Sequence, residues 1–145
     1  MFRRTRRCVR RGRAGNRSLL AVVGVLAGLI LLVSGCTHGS YSGSWAPGVR
    51  PRVMTIAQHF GVRGSTYPGH DPSMGYAADF MVGSHAQGQA IANWVIANRS
   101  WLHVHYVCWW RHIWNVQRAG QGWRLLSNGG SATANHMNHV HVSFW

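Results

Sequence analysis

Asp79 lies in the middle of the apolar run YAADFMV, and it is one of only two acidic residues in a chain of 145. A carboxylate withdrawn from water costs several kcal/mol unless a cation or a set of donors compensates it. Any fold that buries this segment must therefore bring such a group to residue 79. A metal ion would do so, and so would loop amides donating hydrogen bonds. The second acid, Asp71 in GHDPSMG, sits among glycine and proline and reads as a turn residue.

The chain closes on NHMNHVHVSFW. Side chains alternate along a strand, so His139 and His141 share one face while Val140 and Val142 point to the other, into a core. Two imidazoles on one strand face are half of a metal site. Zinc takes about four ligands, with three from protein where the site is catalytic. Asp79 can supply the carboxylate. His70 stands nine residues before it in a glycine-rich loop that can fold back on the strand. Spacing alone leaves open a solvated pair of histidines and a purely structural aspartate. His136 has the wrong parity to share the strand face and could line the site or cap the loop. His103 and His105 repeat the HVH pattern on an earlier strand without a second ligand set.

The front of the chain is of another kind. MFRRTRRCVRRGRAGNR carries eight of the fifteen arginines and no acid, and it leads into an uncharged segment that includes the apolar run Leu19 to Val33. Basic, then apolar, then small residues is the order of an export signal, and the run is short for a spanning helix. It ends in Val33-Ser34-Gly35-Cys36, which resembles a bacterial lipobox with Cys36 as the lipidated residue. An uncleaved anchor and plain secretion are the alternatives, and all three place the remainder of the chain outside the cytoplasm. The pairs Arg3-Arg4 and Arg6-Arg7 invite a twin-arginine reading, but no full motif comes after them.

The formal charge of +13 is thus concentrated in the segment that export removes or embeds. Beyond Cys36, seven arginines against two aspartates leave about +5, which suits an anionic envelope. No basic stripe remains to grip nucleic acid. Lysine is absent, which is compatible with a GC-rich genome. Cys8 falls on the cytoplasmic side of the signal and Cys36 carries lipid. Cys108 is then alone, so no disulfide framework is expected, and it reads as a small buried hydrophobe within VHYVCWW.

The chain therefore divides into residues 1–36 as signal with lipobox or membrane anchor, 37–48 as a Gly/Ser-rich flexible linker, and 49–145 as one domain. Val53, Ile56, Ala57 and Phe60 fall at helical spacing between Pro51 and Gly61. Ser84 caps a second helix whose stripe is Ala90, Ile91, Trp94 and Val95. GVRGSTYPGHDPSMG reads as loop. Strands are expected at YAADFMV, HVHYVCWW, HIWNV and HVHVSFW. Trp109, Trp110 and Trp114 read as core or sheet-face aromatics, with a sugar-stacking platform as the alternative. The fold class is α+β, a small antiparallel sheet with flanking helices.

GHDPSMGYAADFMV, with GSATANHMNHVHVSF far downstream, resembles the D-Ala-D-Ala carboxypeptidase-like zinc peptidases. Their fold is shared by lysostaphin-type peptidases, D-Ala-D-Ala peptidases and the hedgehog signalling domain. The nearest likeness is to actinobacterial and phage cell-wall proteins, over roughly residues 53–144. The resemblance implies zinc held by His70, Asp79 and His141, with His139 handling protons. It implies hydrolysis of an amide bond in peptidoglycan stem peptides by a membrane-anchored monomer facing the cell wall. Arg63 matches the region where relatives carry a substrate-binding arginine. The His70–Asp79 spacer is longer than in the commonest form, and Asn138 stands where relatives often have aspartate. No glutamate base is present, so only the variant with histidine in that role fits. A non-catalytic module that grips cell-wall peptide is the alternative.

Overall fold

The structure is a computed structural model that describes residues 39–66 and 75–145. Cys36, the apolar run before it, His70 and Asp71 lie outside the described residues. In chain order the elements are β1 (Ser40–Ser42), α1 (Val49–Phe60), β2 (Arg63–Ser65), β3 (Ala77–Met81), α2 (His85–Ala97), α3 (Arg99–Leu102) and β4 (Val104–Trp109). β5 (His112–Asn115), a 3₁₀ segment (Val116–Gln121), β6 (Arg124–Leu125) and β7 (His139–Phe144) complete them. The strands form one sheet in the order β1-β2-β3-β7-β4-β5-β6. Among these strands only the β1–β2 pair is parallel; every other pair is antiparallel. No helix among the described residues is long and apolar enough to cross a membrane.

The last strand in sequence is therefore central in space, with β3 on one side and β4 on the other. Val140, Val142 and Phe144 turn toward a core built with Val53, Ile56, Ile91 and Val95 of the two long helices and with Ala78, Phe80 and Val107 of the neighbouring strands. Each such aliphatic side chain contributes roughly 1.5–3 kcal/mol by leaving water. Alternation then sends His139, His141 and Ser143 to the opposite face. All six residues of β7 are nevertheless buried, so that face is covered as well.

Several local expectations hold. Gly61 ends α1 in the left-handed region, with its amide and that of Val62 closing on the last carbonyls. The Ser84 hydroxyl accepts from the Gln87 amide and caps α2. Others shift. α1 begins at Val49 after Gly48, so Pro51 falls within the first turn, where its missing N–H is no loss. The buried stripe of α2 is Gly88, Ile91, Ala92 and Val95. Ala90 is exposed, because successive helix residues are rotated by about 100° and it falls outside that stripe.

Two segments with loop-like composition join the sheet. Ser40–Ser42, in the stretch read as a tether, pairs with β2, and the Trp45 indole donates to the Ala77 carbonyl at 3.0 Å. Arg63–Ser65, in the stretch read as loop, pairs with β3. Strands of three residues bury little side-chain surface, so hydropathy does not mark them. His103 does not begin β4. It ends α3 with φ 50, and the strand starts at Val104.

A register shift between Val104 and Tyr106 gives β4 one extra residue against β7. It lets Val104, Val107 and Trp109 all reach the core while Tyr106 and Cys108 share the face of His141. β4 and β5 are joined by two residues, Trp110 and Arg111, with φ of 49 and 60. That is the turn usually built from Asn-Gly. A side-chain-bearing residue in this region costs about 1–2 kcal/mol, offset here by backbone bonds from Trp110 N–H to the His136 carbonyl and from Arg111 N–H to the Asn135 carbonyl.

Gly88 sets how closely α2 lies on the sheet. A Cβ there would stand 2.2 Å from Cζ2 of the buried Trp109 ring. Helix propensity alone favours alanine by about 1 kcal/mol, but overpacking a filled core costs roughly 1–3 kcal/mol. Gly88→Ala is expected to lower the urea midpoint; a raised midpoint would contradict this packing.

Candidate functional site

The pairing of β3 with β7 sets Asp79 directly opposite His141, and that of β4 with β7 sets Cys108 opposite His141 on the other side. Directly opposed residues of antiparallel strands project to the same face. One rung of the sheet therefore carries Asp79, His141 and Cys108 in a row. His139 is two residues along β7, opposite Met81, on the same face.

The Asp79 side chain is 14% exposed and those of His139 and His141 are 6% and 8%, so this is an interior group of ionisable residues. Nδ1–H of His141 donates to Oδ1 of Asp79 at 3.0 Å. Nε2 of His139 lies 3.5 Å from the same oxygen. Nδ1 of His139 is 2.7 Å from Oδ1 of Asn138, an acceptor, so the proton of a neutral ring resides on Nδ1. Its Nε2 lone pair then faces a carboxylate oxygen. A proton on Nε2, or a cation between the two atoms, removes that repulsion.

Three polar atoms thus crowd together: Oδ1 of Asp79, Nδ1 of His141 and Nε2 of His139. Among the described residues, no group of three or more His, Cys, Asp or Glu is arranged as a formed metal site. His70, the third ligand implied by resemblance, lies outside them. The donor chemistry of Asp79 and His141 fits zinc. Metal–ligand distances of about 2.0–2.2 Å put neighbouring ligands of a tetrahedral ion roughly 3.3 Å apart. The contact between Nδ1 of His141 and Oδ1 of Asp79, 3.0 Å, is close to that spacing.

The loop before β7 supplies a residue that strand parity does not predict. His136 takes φ 53, and its ring lies 5.0 Å from that of His139 and 5.6 Å from that of His141. Its backbone is tied down by the Trp110 amide and by its own amide to Thr133. Buried Asn135 braces the same loop, accepting from the Gly129 amide and donating to Asn128. Tyr106 stacks on His141 at 5.4 Å with the rings 19° apart. Its place on the site face follows from regular alternation with Cys108, since the β4 bulge lies before it.

Arg63 is exposed on β2, two residues from Ser65, the partner of Asp79, and so belongs to the same sheet face. Its guanidinium donates to the Ser42 hydroxyl at 3.0 Å. His103 and His105 do not join the cluster: His103 caps α3, and His105 stacks on Trp145 at 3.9 Å. Cys108 is buried, as expected, but beside His141 rather than among core residues alone.

Residues 45–137 match the family model described as VldE, C-terminal domain, and the chain belongs to that family. The match takes in Asp79 and His136 and stops short of His139 and His141. An uncharacterized secreted protein of Arthroderma benhamiae is 36% identical over 55 residues, 35% of this chain and 22% of that protein. The chain thus spans about a fifth of the length of this relative. No solved structure matches the chain significantly.

Asn138 is the residue that orients His139, with its amide nitrogen donating in turn to Thr133 Oγ1 at 3.0 Å. Asn138→Ala removes both bonds at about 0.5–1.5 kcal/mol each. We expect a lower denaturation midpoint and faster exchange of the His139 ring N–H by NMR. An unchanged ring signal would show that Asn138 does not hold the imidazole.

Proposed function

We propose that the chain is a zinc-dependent hydrolase of amide bonds in peptidoglycan stem peptides, with the fold of the D-Ala-D-Ala peptidases and the hedgehog domain. The observation that carries this reading is the half-buried Asp79 carboxylate facing the two imidazoles of the last strand. We place the protein outside the cytoplasm, held at the membrane through lipid on Cys36 or through an anchor helix. The secreted designation of the fungal relative supports the extracytoplasmic part.

Asp79, His141 and His70 would hold the ion. Zinc, when bound, supplies a Lewis acid for a carbonyl and lowers the pKa of water toward neutrality. Asn138 fixes Nδ1 of His139, which leaves Nε2 to move the proton: it accepts one from water and returns it to the leaving amine. Tyr106 holds the plane of His141, and His136 covers both histidines. Arg63, exposed on the same face, would meet a carboxylate of the stem peptide.

The test compares zinc content and peptidoglycan cleavage in Asp79→Ala, His141→Ala and His139→Ala. The first two are expected to lose zinc and stability together, because metal binding contributes to folding. His139→Ala is expected to keep most of its zinc and lose about 10²-fold or more in turnover, the scale of a lost acid–base group. Full zinc in Asp79→Ala, or full activity in His139→Ala, contradicts the assignment. Zinc without cleavage in the wild type favours a wall-peptide-binding role.

A further inference from the structure

A second concave site lies at the end of the sheet, where the β4–β5 turn meets the start of α2. It is a cavity of about 240 Å³ lined by His85, Gln89, Trp109, Trp110, His112 and Trp123. That is below the roughly 300–1,000 Å³ of pockets for drug-sized ligands, and is on the scale of one ring. None of its lining residues belongs to the Asp79 cluster.

The walls are aromatic faces. Trp109 and Trp110 lie 5.5 Å apart with planes at 50°, and His85 packs edge-on against Trp110 at 4.6 Å. Trp110 is 39% exposed although it occupies a backbone region that disfavours bulky side chains. Asn-Gly would make this turn without strain, so the turn retains an indole at a conformational cost. Strain of this kind collects at binding and catalytic sites.

The polar groups point to the class of ligand. Gln89 donates one of its two amide N–H groups to Asn93, which leaves the other to donate and Oε1 to accept. His112 donates from Nδ1 to the Trp110 carbonyl at 2.7 Å, which leaves Nε2 to accept. The site therefore offers one donor and two acceptors around aromatic faces. A sugar ring has apolar C–H faces for the indoles, and hydroxyls that both give and receive hydrogen bonds. A quaternary ammonium would also suit an aromatic cage, but it has no N–H or O–H to donate to these acceptors. Among the described residues, no acid lines the cavity to attract a cation.

We infer that this pocket binds one pyranose ring of a glycan, independently of the hydrolase reading. The test is calorimetric titration of the full-length protein with a β-1,4-linked tetramer of N-acetylglucosamine, and separately with choline. Saturable binding of the tetramer is expected, weakened about tenfold or more in Trp110→Asn, which keeps a residue suited to the turn while removing the indole face. Gln89→Leu, on a partly exposed helix position, is expected to weaken binding independently of the turn. Absence of saturable tetramer binding, wild-type affinity in both pocket variants, or a response to choline alone would overturn the inference.

Discussion

The contact between Asp79 and the two histidines of β7 is the constraint around which this protein is arranged. A carboxylate that is 14% exposed, set between β2 and β7, is tolerable only if positive charge or donors meet it. His141 reaches it from the directly opposed position and His139 from two residues along. Both imidazoles are available because β7 is the central strand, and β7 is central because its other face, Val140 and Val142, anchors the core under both long helices. One strand thus joins the hydrophobic interior to the ionisable cluster, and neither can shift by one residue without exchanging the two faces.

The cluster is closed by structure imported from the far side of the sheet. The turn at Trp110 and Arg111 is strained in both residues, and its amides are spent on the carbonyls of Asn135 and His136. Those bonds hold the loop that lays His136 against His139. The same turn presents Trp110 to the aromatic cavity. A single two-residue connection therefore supports two separate sites, a reason for its departure from the Asn-Gly sequence that the geometry would favour.

Much of the site is legible in the sequence because strand parity is a strong rule. Asp79 in an apolar run and His139-Val140-His141 at the end are enough to put two imidazoles and a carboxylate on one sheet face. What parity cannot give is partners that arrive by irregular backbone. His136 comes from a loop with a left-handed φ. β1 and β2 are hidden for another reason: three-residue strands of serine, tyrosine, glycine and arginine carry no hydropathy signal. Ala90 reads as buried through its adjacency to Ile91, while Gly88, the stripe residue that touches Trp109, is neutral in hydropathy.

The account rests on a cation meeting Asp79 and His141 through oxygen and nitrogen, with Cys108 as a bystander in the same rung. Zinc K-edge X-ray absorption on the purified full-length protein tests this directly. The predicted spectrum shows only nitrogen and oxygen neighbours at about 2.0–2.2 Å, with the outer-shell pattern of imidazole. A sulfur neighbour at about 2.3 Å, or a protein that carries no zinc, would contradict it.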